Sequence, residues 1–310
     1  MLFVIDAPDA LKAYKDTTVT MMRAAQARGH GIWTCEVTDL AWQGGATARA
    51  TRFSLADNDE DWYRAHETES RPLHKFGAVL MRKDPPFDLE YVASTWLLSA
   101  AVREGAKVFN APDAIRDHNE KLAIAEFGRF LAPTLVTRDA ERLQAFIDAE
   151  RDVVLKRLDV MGGENIFRVR RDDPNRNVIV EIMAQGGARS VMAQRYIPEI
   201  AKGDNRVLLI DGKAVPHCLA RIPKAGESRG NLAAGARGVA QPLSPRQREI
   251  AEALGPVLSK RGLLLVGLDI IGDYLTEVNV TSPTCFREIT DQTGFDVPGM
   301  FMDALERRLA

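Results

Sequence analysis

The stretch "GLDIIGDYLTEVNVTSPTCFREI", Gly267 to Ile289, writes an Asp, a Glu and an Asn into a run otherwise made of the Leu, Ile and Val of a buried strand. A carboxylate taken out of water without a partner is costly, so Asp269 and Glu277 need a compensating cation, and a divalent metal is the strongest available. Glu277 and Asn279 are two apart and share one face of a strand, both offering the oxygens that a hard cation such as Mg²⁺ prefers. Asp269 lies before them, across a turn at "GDY". A two-residue turn pairs Ile271 with Tyr274 and turns Asp269 away from Glu277, whereas a three-residue loop sets the two acids opposite each other. Metal sharing therefore predicts an odd loop. An edge hairpin with solvated acids is the plain alternative.

The chain around this segment has 310 residues, 45% of them hydrophobic, enough for a sizeable core and for two or three subdomains. Lys and Arg number 41 against 43 Asp and Glu, a net charge of −2 with no long block of one sign. Neither a nucleic-acid footprint nor a polybasic membrane patch is expected. Cys35, Cys218 and Cys285 are scattered, with no CxxC and no His at ligand spacing. That argues against a disulfide framework or a zinc site and suits the reducing cytoplasm. The opening "MLFVIDAPDALKAYKD" has no basic lead and no small-residue cleavage pattern, so no signal peptide is expected. No apolar run reaches the ~18 residues of a membrane span.

The first residues read as strand, helix, strand: "LFVI" (2–5), a helix from Asp16 to Arg28 closed by Gly29, and "IWTCEV" (32–37). "AVLMRKDPPFD" (78–88) reads as a strand running into a rigid charged loop, followed by a helix over 89–104 and the strand "KVFN". Alternating strands and helices predict a parallel sheet up to about residue 118. After "RDHNEKLAIAEF" the pattern changes to "TLVT", a helix from Asp139 to Ala149, and "VVLKRL" and "NIFRVR" flanking "DVMGGE", which suggests a hairpin in an antiparallel sheet. "SVMAQRYI", "RVLLIDG" and "AVPHCLARI" are further strands. The Gly-rich segment after them breaks all periodicity and reads as a mobile loop, with helices expected over 245–261 and 297–309.

Lys156 stands on a strand just before "MGG", where it can set a point charge on phosphates while backbone N–H groups approach without side chains in the way. Lys121, after "DHNE", would be an ordinary solvated lysine on its own. Two lysines, a Gly-rich loop and an acidic oxygen cluster in this order resemble the ATP-grasp ligases, and more closely the bacterial glutathione synthetases. The resemblance rests on "MRKDPPFD" (81–88), "NEKL" (119–122), "MAQRYIP" (192–198), "GDNRVLLIDG" (203–212), "LARIPKAGESRGNLAAGARG" (219–238) and "VGLDIIGDYLTEVNVTSPTCFREI" (266–289). The first 75 residues match in general organisation only.

That resemblance implies an α/β (α+β) chain. An N-terminal parallel βαβ substrate-binding subdomain (1–118) is followed by an ATP-grasp fold of two antiparallel-sheet subdomains (119–195 and 196–310), the second with a lid over 222–240. It implies that Lys121, Lys156, Gly162 and Gly163 meet the phosphates of ATP, that Gln194, Arg195, Tyr196 and Ile197 form the hinge strand that reads adenine, and that Asp204 holds the ribose. Asp269, Glu277 and Asn279 would hold two Mg²⁺ ions, replaceable by Mn²⁺. Arg206 and Arg221 would face the transferred phosphate, and Arg82 of the "MRKDPP" loop, Ser282, Thr284 and Arg287 would hold the dipeptide. The activity implied is ATP-dependent ligation of γ-glutamylcysteine and glycine through an acyl phosphate, by a cytoplasmic homo-oligomer, a tetramer by the resemblance. Its partners would be small molecules, with no nucleic acid and no membrane.

Two positions depart from the family pattern: Val160 stands where the short Gly-rich loop usually has Gly, and Ala236 where "GARG" usually does. Another ATP-grasp carboxylate–amine ligase would share the nucleotide and metal residues but not "MRKDPPFD" or "SPTCFREI". A nucleotide-binding regulatory protein on this fold would be marked by loss of a metal ligand or of Arg221, and both are present. Cys285 reads as a buried small residue, since no adjacent His supplies a base.

Overall fold

The computed structural model describes residues 1–159, 165–224, 230 and 235–310. Among them, three sheets carry the chain. The first opens with β1 (Leu2–Val4), α1 (Thr17–Ala27) and β2 (Ile32–Cys35), the helix started by Asp16, whose Oδ1 accepts from the Val19 N–H. Then come β3 (Leu40–Trp42), β4 (Ala46–Leu55), β5 (Tyr63–Pro72), β6 (Val79–Met81), α2 (Leu89–Arg103), β7 (Val108–Phe109) and α3 (Pro112–Asp117). β2, β1, β6 and β7 are parallel neighbours, as the alternation of strands and helices predicts. β4 extends this core by running antiparallel to β2, β3 and β5. Its inward positions Ala46, Ala48 and Ala50 are small, so "ATARATRFSL" carries little hydrophobic signal at a period of two.

The second sheet contains β8 (Thr134–Thr137), α4 (Ala140–Glu150) packed on it, β9 (Asp152–Arg157), β10 (Ile166–Arg170), then α5 (Arg176–Ala184) and β11 (Val191–Arg195). Its order is β10-β9-β11-β8, antiparallel throughout, and the expected hairpin is β9 with β10. Helix α5 is absent from the sequence reading. Its Val178 and Ile182 are exposed, so its apolar residues trace no single stripe.

The third sheet is built from β12 (Asp204–Ile210), β13 (Lys213–Ile222), β14 (Arg237–Pro242), then, after α6 (Pro245–Lys260), β15 (Leu265–Ile271) and β16 (Tyr274–Asn279), with α7 (Phe286–Thr293) and α8 (Val297–Leu309) completing the chain. The order is β14-β13-β12-β15-β16. Residues 237–240 of the expected loop therefore belong to a strand, with Ile222 opposite Arg237. Gly238 permits that pairing, since a Cβ there would lie 3.1 Å from Leu219 Cδ2.

Strand alternation decides where the charged residues of this sheet point. Val207 and Leu209 face α6 and its Ile250, Leu254 and Leu258, while Leu208, Ile210, Leu219 and Leu265 face Phe3, Ile5, Met22 and Leu80 of the first unit in one shared core. Asp204 and Arg206 have the parity of Leu208 and Ile210, Arg221 that of Leu219, and Asp269 that of Leu265. Each buried Leu or Ile contributes roughly 1.5–3 kcal/mol, so the register that buries the apolar row also aims the charged residues at its end. Asn110, buried just after β7, ties the sheets together. Its Nδ2 donates to Leu265 O (2.8 Å) and Val280 O (2.7 Å), and its Oδ1 accepts from Leu265 N (2.9 Å).

Candidate active site

The β15–β16 hairpin turns through two residues, Gly272 and Asp273, with Ile271 opposite Tyr274. This is the even turn that alone would send Asp269 away from Glu277. The strand corrects it: the register slips after Ile270–Leu275, Thr276 is the extra residue of a β-bulge, and Asp269 stands opposite Glu277 after all. The buried Thr276 hydroxyl donates to Asp269 O at 3.1 Å, so the bulge is held by its own side chain. The odd residue that the shared-face argument requires sits in the strand instead of the loop.

Asp269 is 2% exposed and both of its oxygens are engaged. Arg206, directly opposite on β12, donates from Nε to Oδ1 (2.5 Å) and from Nη2 to Oδ2 (3.0 Å). Arg221 Nη2 lies 2.9 Å from Oδ2, and Asn279 Nδ2 donates to the same oxygen at 3.3 Å. Burial alone would raise the Asp269 proton affinity, but the two guanidinium groups hold its carboxyl well below the usual carboxylate range. Arg221 also holds Asp204, its cross-strand partner, through Oδ2 at 2.6 Å. Asp204 has the weaker share: burial, Asp269 and Glu277 outweigh Arg221 and push it up to about 7, and its Oδ1 is buried without a hydrogen-bond partner among the described residues. Gly267 is a glycine because the Arg206 side chain runs across it. A Cβ there would meet Arg206 Cδ at 2.8 Å and Pro283 Cβ at 3.0 Å.

The residues before β8 bring a lysine to this face. Val278 N, between Glu277 and Asn279, donates to Glu120 O at 2.8 Å. Asn119 Oδ1 accepts from Lys121 N (3.1 Å) and Leu122 N (3.0 Å), and its Nδ2 donates to Leu158 O at 2.8 Å. Lys121 is buried and its Nζ is ion-paired with Glu120. Burial pulls the Lys121 proton affinity down, but Glu277 and Glu120 more than restore it, so the ammonium stays charged. On β9, buried Lys156 has Nζ 3.5 Å from Gln194 Oε1, and Gln194 Nε2 donates to Thr134 Oγ1 at 3.0 Å.

At the end of β11, Arg195 N bonds Pro133 O and Tyr196 N bonds Asp152 O, both at 2.9 Å, while the exposed Arg195 side chain pairs with Glu150. The Tyr196 ring is covered by Arg168, whose guanidinium carbon is 3.5 Å from the ring centroid and is held by Asp152. Ile197 is buried beside this segment. Gly162, Gly163 and Val160 of the short loop, and Arg229 of the expected lid, lie outside the described residues.

The two segments expected at the dipeptide meet. Buried Arg82 donates to Thr18 Oγ1 and to Pro283 O, both at 3.1 Å, and burial lowers its proton affinity. Ser282 donates to Asp84, and Lys83 pairs with Asp6 at 2.7 Å. Thr284 is exposed. Arg287 is committed elsewhere, its Nη1 donating to Ala13 O (2.9 Å) and Asp59 Oδ1 (2.8 Å). Cys285 is fully buried, and burial pushes its thiol up to about 11, which suits an inert packing residue. Sequence reasoning missed Glu120, Thr18 and Asn110. A glutamate beside a lysine was the available signal for the first, while the other two owe their place to contacts from distant elements.

Among the described residues no group of three His, Cys, Asp or Glu side chains is spaced to hold a metal. The donor set at β15–β16 is of another kind, two carboxylates and the Asn279 Oδ1, with Asp269 opposite Glu277 and the Asn279 Nδ2 spent on hydrogen bonds to Asp269 Oδ2 (3.3 Å) and Gly267 O (3.2 Å). Such a set fits a hard divalent cation. Among the described residues no helix is long and apolar enough to cross a membrane.

Comparison with known proteins bears on the whole chain. The fold is similar to that of D-cycloserine synthetase DcsG (TM-score 0.70, 17% identity, covering 100% of this chain and 99% of that one). It is also similar to the ATP-grasp ligase PsnB complexed with minimal precursor (TM-score 0.65, 18% identity, 99% and 98% covered). At such identities these likenesses speak for the ATP-grasp fold alone. The glutathione synthetase of Ralstonia nicotianae is 60% identical over 308 residues, 99% of this chain and 95% of that protein. That of Nitrosomonas europaea is 52% identical over 314 residues, 100% and 98% covered. The family model for the N-terminal domain of prokaryotic glutathione synthetase matches residues 1–116, and the model for its ATP-grasp domain matches residues 120–294. With both domains matched in order and relatives this similar along nearly the full length, the chain belongs to the prokaryotic glutathione synthetase family of ATP-grasp ligases.

Proposed function

We infer that this chain ligates γ-glutamylcysteine to glycine at the expense of ATP, releasing ADP and phosphate. Family membership supports the reaction, and the observation that carries the site is the convergence of Arg206, Arg221, Lys121 and the Asp269–Glu277–Asn279 face. A carboxylate is a poor electrophile. The dipeptide's carboxylate oxygen first takes the γ-phosphoryl group as the bond to ADP breaks, and the glycine amine then attacks the acyl carbon, gives up a proton and expels phosphate. Charge builds on phosphoryl oxygens throughout, so fixed cations are the main catalytic need.

Arg206 and Arg221 would meet that charge with Nη1, which makes no hydrogen bond among the described residues in either. Asp269 and Asp204 would keep both guanidinium groups in place, so little reorganisation is left for the moment of reaction. Lys121 and Lys156 would contact phosphates, with Gly162 and Gly163 of the short loop beside them. Residues 194–197 would read adenine with their backbone and Asp204 would hold the ribose, through a change of partner, since its Oδ2 is on Arg221. Asp269, Glu277 and Asn279 would hold Mg²⁺, two ions replaceable by Mn²⁺, which when bound neutralise phosphate charge. Arg82, Ser282, Thr284 and Arg287 remain the proposed dipeptide residues, Arg287 through a change of partner.

We take residues 1–118, 119–195 and 196–310 as the substrate-binding, central and C-terminal subdomains, with a lid within 222–240, and the enzyme as a cytoplasmic homo-oligomer, a tetramer by resemblance. The deciding experiment measures phosphate release from ATP with a panel of dipeptides plus glycine. Turnover selective for γ-glutamylcysteine is expected, and equal turnover of unrelated dipeptides would favour another carboxylate–amine ligase. Lys156→Ala should lower ATP affinity and turnover at least ~10-fold, and unchanged values for both would return Lys156 to a packing role.

A further inference from the structure

Glu120 has no part in the roles assigned above, yet its side chain lies among them. Its backbone carbonyl already fastens the segment to β16 through Val278 N, a bond any residue could supply. The carboxylate does something else: it pairs with Lys121 Nζ, the two side chains 21% and 3% exposed. Glu277 and Asp269 are near enough to act on both groups. A half-buried acid in the field of two others is unfavourable in itself, and burial followed by Glu277 raises the Glu120 proton affinity. The pair has a use on the lysine side. A long lysine side chain loses rotamer freedom when it is ordered, and a buried ammonium without anions gives up its proton.

We propose that Glu120 is a positioning residue for phosphoryl transfer, its carboxylate holding the Lys121 ammonium at the strand that carries Glu277 and yielding it to the nucleotide's phosphates. Phosphates carry more negative charge than one carboxylate and so win the exchange, while the ordering of Lys121 is done before they arrive. The proposal rests on the reading of Lys121 as a phosphate contact. It differs from a structural role in acting through Lys121 and on phosphates only.

Calorimetric binding of AMPPNP and, by competition, of adenosine separates these roles in Glu120→Ala, Glu120→Gln, Lys121→Ala and the Glu120→Ala/Lys121→Ala pair. Glu120→Ala should weaken AMPPNP about 10-fold and leave adenosine within about 2-fold, Glu120→Gln, which keeps an oxygen acceptor, should weaken AMPPNP about 3-fold, and Glu120→Ala should add under about 2-fold in the Lys121→Ala background. If Glu120→Ala does not fold, Glu120→Gln decides alone by the same contrast between the two ligands. Equal loss of AMPPNP and adenosine, or undiminished loss without Lys121, overturns the proposal. If Lys121→Ala weakens AMPPNP while both Glu120 variants bind like the parent, this proposal falls and the reading of Lys121 stands. If Lys121→Ala binds AMPPNP normally, the reading of Lys121 falls and the proposal with it.

Discussion

At Arg221 two carboxylates share one guanidinium, and only one of them has a second. Asp269 has Arg206 as well and is held ionised, whereas Asp204, with one buried oxygen that has no partner among the described residues, is pushed up to about 7. The two shifts have opposite consequences for stability. The Asp269 contribution is fully present above the unfolded value near pH ~4 and is lost as the pH falls below it. Asp204 binds its proton more tightly folded than unfolded, so its ionisation destabilises the empty enzyme progressively as pH rises from about 4 to about 7, by an amount on the order of a few kcal/mol. Asn at this position does not titrate. Between pH 5 and pH 8 the melting temperature of the ligand-free parent should therefore fall relative to Asp204→Asn, and parallel curves would refute the assignment. Gly267 belongs to the same scale. Gly267→Ala should displace Arg206 and lower kcat at least ~10-fold with a smaller change in KM for ATP, because the lost interaction is with charge that develops during transfer. Parent-like kcat would show that Arg206 can bend around the methyl group.

The elements show what a sequence can and cannot disclose. The hairpin carrying Asp269, Glu277 and Asn279 was readable from its acids set among Leu, Ile and Val, and so were the helices begun by Asp16 and Ser244, whose side chains accept from backbone N–H groups at their first turns. The bulge at Thr276 was not, because it depends on a hydroxyl reaching across the hairpin. Nor were the partners of Asp269, which arrive from β12 and β13 by register, 63 residues earlier in the case of Arg206. β4 escaped because alanine marks an inward face poorly, and β5 because nearly all of it is exposed. A glycine pair illustrates the same limit: Gly255 in α6 and Gly212 in the β12–β13 turn look incidental, but a Cβ on Gly255 would stand 2.1 Å from Gly212 O. Neither backbone can retreat without moving a helix off a sheet. Gly255→Ala should cost about 3 kcal/mol or more by denaturant unfolding, well beyond the helix-propensity gain of roughly 1 kcal/mol. A stabilised variant would mean that the helix and turn are not in contact.

Across the whole molecule, the groups proposed for the dipeptide come from chain segments about two hundred residues apart, and a joint between sheets has to keep them together. Arg82 reaches Pro283 O and Ser282 reaches Asp84, contacts between single side chains of the two segments. Asn110 adds three hydrogen bonds beside them, clamping the end of the first sheet to Leu265 and Val280, the second of these just two residues before Ser282. Two donors and one acceptor of a single buried side chain are satisfied there, so truncation takes three hydrogen bonds from the backbone of Leu265 and Val280. Asn110→Ala should cost about 2–4 kcal/mol of stability. Its kinetic effect should be uneven. Lys121, Lys156 and residues 194–197 are carried by the other side of the joint, so the KM for ATP should stay within about 2-fold, while the KM for γ-glutamylcysteine should rise at least ~5-fold as the two halves of its site lose register. Asn110→Asp loses both donors and sets a buried carboxylate against two carbonyl oxygens, so it should be at least as destabilised as Ala at neutral pH. Steady-state kinetics with each substrate varied in turn, beside denaturant unfolding, measures both effects. An equal rise in both Michaelis constants, or a rise in neither, would separate the joint from dipeptide binding and leave Asn110 a residue of folding alone.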